Sequence, residues 1–342
     1  MTTETLVEDR PAAPTRRPRL GFLGVGWIGR HRMEAIARTG AVEIAAIADP
    51  SPDMAAEALK LAPDAEVAAD LHSLLDAGVD GVVIATPSAL HAEQSIQALE
   101  RGVAVFCQKP LGRTEAEVRA VVDAARAADR LLAVDLSYRF TEGARRVRDL
   151  VRSGELGRVY AADLTFHNAY GPDKPWFYDP ALSGGGCVMD LGVHLADLAL
   201  WALDFPKVVN VTSALFSGGD PLAGRADRVE DYAVATLELD TGAMLRLACS
   251  WKLQAGCEAV IGAELYGTAG GAAFRNVDGS FYDFTAERFR GTSRETLSSP
   301  PDDWGGRAAA DWARRLAAGE RFDPEAERLV DVAGVLDRIY GR

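Results

Sequence analysis

The chain has 342 residues, of which 48% are apolar and 25% charged, the balance of a globular protein with about two domains. Its 37 basic and 50 acidic residues give a net charge of −13, and no basic stripe is present, so we expect no nucleic-acid partner. No stretch approaches the roughly 18 apolar residues that a transmembrane helix needs. The four cysteines are far apart, which favours free thiols in a reducing cytoplasm over a disulfide framework or a metal site.

Residues 1–18 precede the first regular pattern. They carry three prolines and no apolar periodicity, which predicts a disordered N-terminal arm. Arg16 and Arg17 resemble part of an export signal, but the apolar stretch after them is short and broken by glycines. We therefore expect a cytoplasmic protein.

Between residues 19 and 138, short apolar runs alternate with segments of helical spacing. The runs predict strands at 20–23, 43–48, 66–68, 81–86, 103–107 and 131–135. The segments predict helices at 28–38, 52–61, 71–77, 89–101 and 114–128. Continuous apolar strands such as VVIA at 82–85 are typical of a parallel sheet covered on both faces. The fold class is therefore α/β, with a doubly wound sheet and a crevice at the carboxyl ends of its strands.

The first strand leads into GVGWIG at 24–29, between a strand and a helix, where a dinucleotide site needs glycines. Asp49 ends the second strand at the position where a carboxylate accepts hydrogen bonds from an adenosine ribose. The predicted cofactor contacts are Gly24, Gly26, Trp27, Ile28, Gly29 and Asp49. A glycine-rich turn with Asp49 capping the next helix is the alternative. Because an acidic Asp49 repels a 2′-phosphate, NAD is favoured, although NADP is possible.

Two further strand ends carry polar residues toward the same crevice. Thr86 and Pro87 end the fourth strand, and His91 follows in the next helix, where a packing role is the alternative to a cofactor contact. Gln108 and Lys109 follow the fifth strand, at the edge where the nicotinamide end of a dinucleotide would lie. We predict that these residues complete the cofactor site.

Residues 139–342 have a different pattern. After a helix at 142–153, alternating segments at 159–166, 208–216, 232–239, 244–253 and 259–266 predict an antiparallel sheet with one covered face. The turn 240–242 predicts a hairpin between two of them. We assign this part as a second domain for substrate binding.

A helix between the first two of these strands carries Asp190, His194 and Asp197 on one narrow stripe if it is α-helical. A histidine held by an aspartate one turn away is the structural alternative. The glycines at 184–186 favour function, because glycines let another group approach the backbone. No further ligand cluster is present, so no metal site is predicted.

Taken together, GVGWIG, the aspartate of AIADP, ATPSALHAE, QKP at 108–110, SYRF and GGGCVMDLGVHLADL resemble the Gfo/Idh/MocA family of sugar and cyclitol dehydrogenases. The resemblance covers residues 19–267 and includes a closing helix after residue 307. It implies an N-terminal Rossmann domain, a C-terminal α/β domain with a large open antiparallel sheet, and NAD or NADP as cofactor. It also implies assembly through that sheet, as a homodimer or homotetramer, and places the catalytic groups on Lys109, Asp190 and His194.

One residue departs from the family pattern. The family usually has Glu-Lys-Pro, whereas this chain has Gln108-Lys109-Pro110. Losing that carboxylate makes a cationic Lys109 less favourable and changes how the nicotinamide is held. We expect catalysis to survive this change.

The predicted activity is hydride transfer between a nicotinamide and a secondary alcohol or ketone of a sugar, cyclitol or related polyol. His194 is the expected proton carrier, with Lys109 polarising the reacting oxygen. The predicted substrate contacts are Tyr138, Arg139, Tyr170 and Trp176. For Tyr170 and Trp176, the alternative is that they pack a long loop against the sheet. For Tyr138 and Arg139, the alternative is a buried ion pair. Alternative functions are NAD-dependent glycoside cleavage and a non-catalytic dinucleotide-binding regulator.

Overall fold

A computed structural model describes residues 16–222 and 227–342. The predicted disordered arm, residues 1–18, lies outside these ranges except for its last three residues. Arg16 forms an ion pair with Asp80 at the start of the first sheet. None of the helices in the described ranges has the length and apolarity needed to cross a membrane.

The first part of the chain forms the predicted doubly wound parallel sheet. Its strands are β1 Arg19–Leu23, β2 Glu43–Ala48, β3 Glu66–Val67, β4 Gly81–Ile84, β5 Ala104–Cys107 and β6 Leu132–Val134. Its helices are α1 Trp27–Ala37, α2 Pro52–Leu59, α3 Leu71–Asp76, α4 Ser88–Glu100 and α5 Glu115–Ala128. The strand order is β3-β2-β1-β4-β5-β6, so the order reverses between β1 and β4. A ligand crevice is expected at the carboxyl ends of these two strands.

The second part forms a nine-stranded open sheet in the described residues. Its strands are β7 Val159–Asn168, β8 Val208–Ser217, β9 Asp220–Pro221, β10 Tyr232–Leu239, β11 Met244–Ser250, β12 Ala259–Gly267, β13 Gly271–Asn276, β14 Phe284–Arg290 and β15 Ser293–Ser298. Its helices are α6 Glu142–Arg152, α7 Pro180–Ser183, α8 Val193–Ala202, α9 Arg307–Ala317 and α10 Arg328–Tyr340. The order is β15-β14-β13-β12-β7-β11-β10-β8-β9. The predicted antiparallel sheet is confirmed, with one parallel pair between β7 and β11.

Four strands of this sheet, β9 and β13 to β15, were not predicted. Strands β14 and β15 carry several charged residues, β13 begins with a glycine and two alanines, and β9 has only two residues, so none shows the apolar alternation that marks the other strands. Charged pairs across neighbouring strands accompany their pairing, as between Arg288 of β14 and Glu295 of β15. Sequence periodicity does not detect such ion pairs, because they form only when the two strands lie side by side.

The hydrophobic cores follow the two sheets. Two apolar clusters cover the two faces of the parallel sheet, and a larger one fills the covered face of the second sheet. Helix α9 lies near the end of the chain, yet its Trp312 is fully buried in one of the two clusters that cover the parallel sheet. Its ring centroid lies 5.7 Å from that of Phe106. The part assigned to residues 139–342 therefore contributes a helix to the parallel-sheet core.

Candidate active site

A large cavity lies along the carboxyl ends of the parallel strands and extends to residues of the second part within 173–194, 281–282 and 302–305. Its volume is about 1390 Å³. Residues from both parts of the chain line it, with the glycine turn at one end and Lys109, Asp190 and His194 at the other. The three predicted catalytic residues, Lys109, Asp190 and His194, come from separate parts of the chain. All three line this one cavity.

The glycine turn has room for a ligand at one position only. A Cβ on Gly24 would lie 2.6 Å from the Ala85 carbonyl oxygen, and Gly24 has φ of +83°. A Cβ on Gly29 would lie 2.2 Å from the Gly24 carbonyl oxygen. A Cβ on Gly26 would meet nothing within 4 Å. Protein packing thus accounts for Gly24 and Gly29, whereas Gly26 leaves open cavity at the N-terminus of α1, where a pyrophosphate fits.

Asp49 supports this turn from the end of β2. Its carboxylate accepts a hydrogen bond from the Val25 backbone N–H at 2.7 Å and another from the Ser51 N–H at 2.9 Å. The N-cap of α2 is Ser51, which accepts from Met54 N–H, so Asp49 is not the capping residue. The Asp49 carboxylate lines the cavity and retains acceptor capacity for ribose hydroxyls.

Trp27, Ile28, Thr86, Pro87 and His91 also line the cavity. His91 is buried, and its ring nitrogens lie 2.7 Å from the carbonyl oxygens of Thr86 and Pro110. Because both nitrogens already face backbone groups, the packing alternative describes His91: it joins the turns after β4 and β5. Those turns carry Thr86 and Lys109.

Lys109 and Asp190 form an ion pair in the cavity. The Lys109 Nζ donates to the Asp190 carboxylate at 2.5 Å and to the Asp190 carbonyl oxygen at 2.7 Å. The second carboxylate oxygen accepts a hydrogen bond from the Trp251 indole N–H at 3.0 Å. Trp251 directly follows β11 and was not predicted as a site residue. It fixes the Asp190 carboxylate, which in turn fixes the ammonium group of Lys109.

The helix that carries Asp190 and His194 begins with a π-helical turn, Val188–Gly192, before α8. The stripe of Asp190, His194 and Asp197 was drawn for a regular α-helix. A π turn contains an extra residue and changes that angular relation. Asp190 and His194 line the cavity, whereas Asp197 is buried outside its lining in an ion pair with Arg139.

His194 lies against aromatic rings in the cavity. The Tyr138 ring is 4.9 Å away between centroids and nearly perpendicular, and the Phe166 ring is 6.4 Å away. Burial lowers the pKa of His194 well below its ordinary value, and the charges of Lys109 and Arg32 lower it further. The imidazole is therefore neutral at pH 7 and is able to accept a proton.

The glycines at 184–186 admit protein groups. A Cβ on Gly186 would lie 1.9 Å from the Glu230 carbonyl oxygen, and one on Gly185 would lie 2.0 Å from the Tyr340 hydroxyl. The Glu230 carboxylate accepts hydrogen bonds from the backbone N–H groups of Gly186 and Val188 and from the Tyr340 hydroxyl. These glycines pack the start of the π turn against Glu230 and α10, but Gly185 and Gly186 also line the cavity, so ligand approach at them stays a prediction.

The four predicted substrate residues divide into two pairs. Tyr138 and Trp176 line the cavity, together with the aromatic side chains of Phe177, Tyr282 and Trp304, which sequence analysis did not predict. Arg139 and Tyr170 do not line it. Arg139 is paired with Asp197, which is the buried ion pair considered as its alternative. Tyr170 is 54% exposed, and its hydroxyl contacts Glu258.

Gln108 faces a carboxylate that sequence analysis did not predict. Its side-chain amide donates to Asp135, which follows β6, and Arg32 of α1 donates to the same carboxylate. All three side chains line the cavity. Asp135 could have been predicted as a site residue, because it follows an apolar strand of the parallel sheet. In residues 16–222 and 227–342, no group of three His, Cys, Asp or Glu side chains is arranged to hold a metal ion.

Family models match both parts of the chain. Residues 19–136 match an oxidoreductase family with an NAD-binding Rossmann fold. Residues 144–273 match the GFO/IDH/MocA C-terminal domain. The two matches adjoin at the segment where the parallel sheet ends and the second sheet begins.

Individual proteins agree with these models. The chain is 31% identical to the D-glucoside 3-dehydrogenase of Escherichia coli K12 over 58% of its own length and 60% of that protein. It is 33% identical to a putative UDP-kanosamine synthase oxidoreductase subunit of Amycolatopsis mediterranei over 68% of each. In fold, it superimposes on levoglucosan dehydrogenase, solved with NADH and levoglucosan, with a TM-score of 0.82 and 23% identity, covering 95% and 97% of the two chains.

The order of the parallel strands, the glycine turn and the two matched domains lead to one conclusion. The similarity to levoglucosan dehydrogenase shows the fold alone, whereas the matches to the family models show family membership. The chain belongs to the Gfo/Idh/MocA oxidoreductase family, with an NAD-binding Rossmann domain at its N-terminus.

Proposed function

We propose that this protein is an NAD-dependent oxidoreductase that transfers hydride between the cofactor and a secondary alcohol or ketone of a sugar, cyclitol or related polyol. The carrying observation is the convergence of Lys109, Asp190 and His194 in the cavity that begins at the glycine turn. When bound, the cofactor supplies or accepts the hydride. The protein residues must then bind both reactants, orient them and move one proton.

The cofactor fit rests on the open space at Gly26. Backbone N–H groups at the start of α1 face that space, and the helix dipole favours a pyrophosphate there by about 0.3 to 1 kcal/mol per charge. Asp49 would accept hydrogen bonds from the adenosine ribose hydroxyls. Its negative charge disfavours a 2′-phosphate, which supports NAD over NADP. Thr86 and Pro87 would then border the path toward Lys109.

The proposed proton carrier is His194. In the oxidative direction its neutral imidazole accepts the hydroxyl proton of the substrate as hydride leaves the adjacent carbon; in the reductive direction it returns that proton. Lys109, held by Asp190, donates a hydrogen bond to the reacting oxygen and stabilises its developing charge. Asp190 acts by orienting Lys109.

The proposed substrate contacts are the aromatic side chains at the second-sheet end of the cavity. Trp176 stacks on Phe177, 3.8 Å between ring centroids, and Tyr138 packs beside His194. Aromatic faces suit the apolar C–H face of a sugar or cyclitol ring, while its hydroxyls reach the polar groups. The substrate proposed on this basis is a small polyhydroxylated ring.

The decisive experiment mixes the purified protein with NAD and, separately, with NADH and a panel of inositols, aldoses, glycosides and keto sugars. Absorbance near 340 nm is followed, together with release of any aglycone. Turnover of the cofactor with one of these substrates supports the proposal. Glycoside cleavage without net change at 340 nm would assign the protein to the cleaving reaction instead, and tight NADH binding without either reaction would leave a dinucleotide-binding regulator.

We also propose that the protein assembles as a homodimer or homotetramer through the open face of the nine-stranded sheet. Met244 of β11 and Val260 of β12 expose apolar side chains on that face. Light scattering coupled to gel filtration measures the assembly, and a monomer at micromolar concentration contradicts it. A cytoplasmic location, proposed from the free cysteines, is tested by cell fractionation.

A further inference from the structure

Three side chains meet beneath the Lys109 end of the cavity. Asp135 accepts a hydrogen bond from the Arg32 Nε at 2.5 Å and one from the Gln108 side-chain amide at 2.6 Å, both on the same oxygen. Asp135 is only 1% exposed, and Arg32 and Gln108 are also buried. They come from three elements, since Arg32 lies in α1, Gln108 follows β5 and Asp135 follows β6.

The second oxygen of Asp135 is buried and has no hydrogen-bond partner among the described residues. A buried carboxylate oxygen without a partner is destabilising, because it loses its hydrogen bonds to water. Asp135 is also part of the cavity lining. The Asp135 carboxylate is thus a buried charge beside the cavity, and Arg32 and Gln108 are its hydrogen-bond donors among the described residues.

The charges at this end of the cavity balance. Lys109 is paired with Asp190, and Arg32 is paired with Asp135, while His194 is neutral. A nicotinamide adds a positive charge only in its oxidised form. The carboxylates of Asp135 and Asp190 are therefore the groups that make this space tolerant of oxidised cofactor.

The family motif usually has a glutamate where this chain has Gln108. A glutamate there would face Asp135 across 2.6 Å, and two carboxylates at that distance cannot both be charged. A carboxylate at residue 135 is therefore compatible with a neutral side chain at residue 108. The same reasoning would pair a glutamate at 108 with a neutral residue at 135.

We propose that Asp135 is a positioning residue that supplies, from the end of β6, the negative charge which the family motif has at residue 108, and that this charge sets the preference between oxidised and reduced cofactor. The inference rests on the proposed function, because it requires a bound nicotinamide. Asp135 acts by neutralising Arg32. It exchanges no proton with substrate.

The test measures dissociation constants for NAD⁺ and NADH by quenching of tryptophan fluorescence. In Asp135→Asn the ratio of the NAD⁺ constant to the NADH constant should rise by about tenfold, because an uncompensated Arg32 repels the positive ring. That shift corresponds to a rise of about 30 mV in the potential of the bound two-electron couple. The charge-relocating variant Gln108→Glu/Asp135→Asn should return the ratio to within about threefold of wild type.

The matched control is Asp197→Asn, which breaks another buried ion pair, with Arg139, outside the cavity lining. It should lose stability and keep the wild-type ratio. An unchanged ratio in Asp135→Asn, or a ratio that the double variant does not restore, overturns the inference. If Asp135→Asn does not fold, the double variant decides alone: folding with a wild-type ratio supports the exchange, and any other result overturns it. If wild type binds neither form, the proposed function itself fails.

Discussion

Three glycines in one turn have different reasons to be glycine. Gly24 has a left-handed backbone, and a side chain on Gly29 would collide with the Gly24 carbonyl oxygen. Gly26 has a negative φ and open space around its missing Cβ. Only Gly26 is therefore free of an internal packing reason.

Gly26→Ala should fold normally and weaken NADH binding by about tenfold or more, because its methyl group fills the space proposed for the pyrophosphate. Gly29→Ala is the contrasting variant, and it should be destabilised by about 1 to 3 kcal/mol. Thermal unfolding and NADH titration of both proteins give the two readouts. Unimpaired NADH binding by Gly26→Ala would place the pyrophosphate elsewhere.

Lys109→Ala should lower kcat by about 10² to 10⁴-fold while NADH binding stays within about threefold of wild type. The reason is that its ammonium group lies at the Asp190 end of the cavity, remote from the glycine turn. Steady-state kinetics on the substrate identified by the panel measures the loss. Lys60→Ala is the control, because Lys60 is exposed and paired with Glu57 on the surface of the protein. Equal kcat values for the two variants would remove Lys109 from the chemistry.

At the scale of elements, the site depends on how the helix of Asp190 and His194 begins. The Glu230 carboxylate accepts hydrogen bonds from Gly186 and Val188 at the start of the π turn and from the Tyr340 hydroxyl of α10. Burial raises the pKa of Glu230, and the hydrogen bonds from Val188 and Tyr340 oppose that rise. An ionised acceptor at this N-terminal end is also favoured by the helix dipole.

Glu230→Gln should destabilise the protein by about 1 to 3 kcal/mol, because an amide group replaces one acceptor oxygen with a donor facing backbone N–H groups. It should also lower kcat more than it weakens NADH binding, since the turn carries Asp190. Glu238→Gln, on the exposed side of β10, is the matched control and should change stability by less than about 0.5 kcal/mol. Chemical denaturation of both variants measures the difference, and equal stabilities would contradict this role for Glu230.

At the scale of the whole molecule, both parts of the chain line the cavity, and the chain returns to the parallel sheet after it has formed the second sheet. Helix α9 crosses back to the parallel-sheet core, where Trp312 is buried, and the segment just before it contributes Trp304 to the cavity. The segment before α9 thereby contributes to the site. A shift between the two sheets would separate Lys109 from Asp190 and His194.

Histidines distributed over both parts predict how the stability of the molecule depends on pH. Burial lowers the pKa of His31, His91, His167 and His194 in the folded state. The unfolded chain therefore binds more protons below about pH 6.5, and the free energy of unfolding should fall as the pH decreases from about 8 to 6. Most of this loss of stability should come from the buried His91 and His194, because solvent screening reduces the effect at the half-buried His31 and His167.

Denaturant unfolding at several pH values measures this dependence, and His194→Asn should show a shallower slope than wild type over the same range. Burial raises the pKa values of Glu230 and Asp197, so these two carboxyl groups act in the opposite direction. A free energy of unfolding that rises toward pH 6, or an identical slope in His194→Asn, would contradict the assignment.

The sequence by itself determined the parallel sheet, the glycine turn and the strand ends that lead to Thr86 and Lys109. These features depend on local patterns, since buried parallel strands are continuously apolar and dinucleotide turns need glycines at short spacing. Only the tertiary structure decided which neighbours the polar residues meet. The partners Arg32 and Asp135 are 103 positions apart, and the π turn changes the angular relation of Asp190 to His194 and Asp197. Pairings over such separations arise from packing, which no periodicity records, so the balance of charge around the nicotinamide end became visible only in three dimensions.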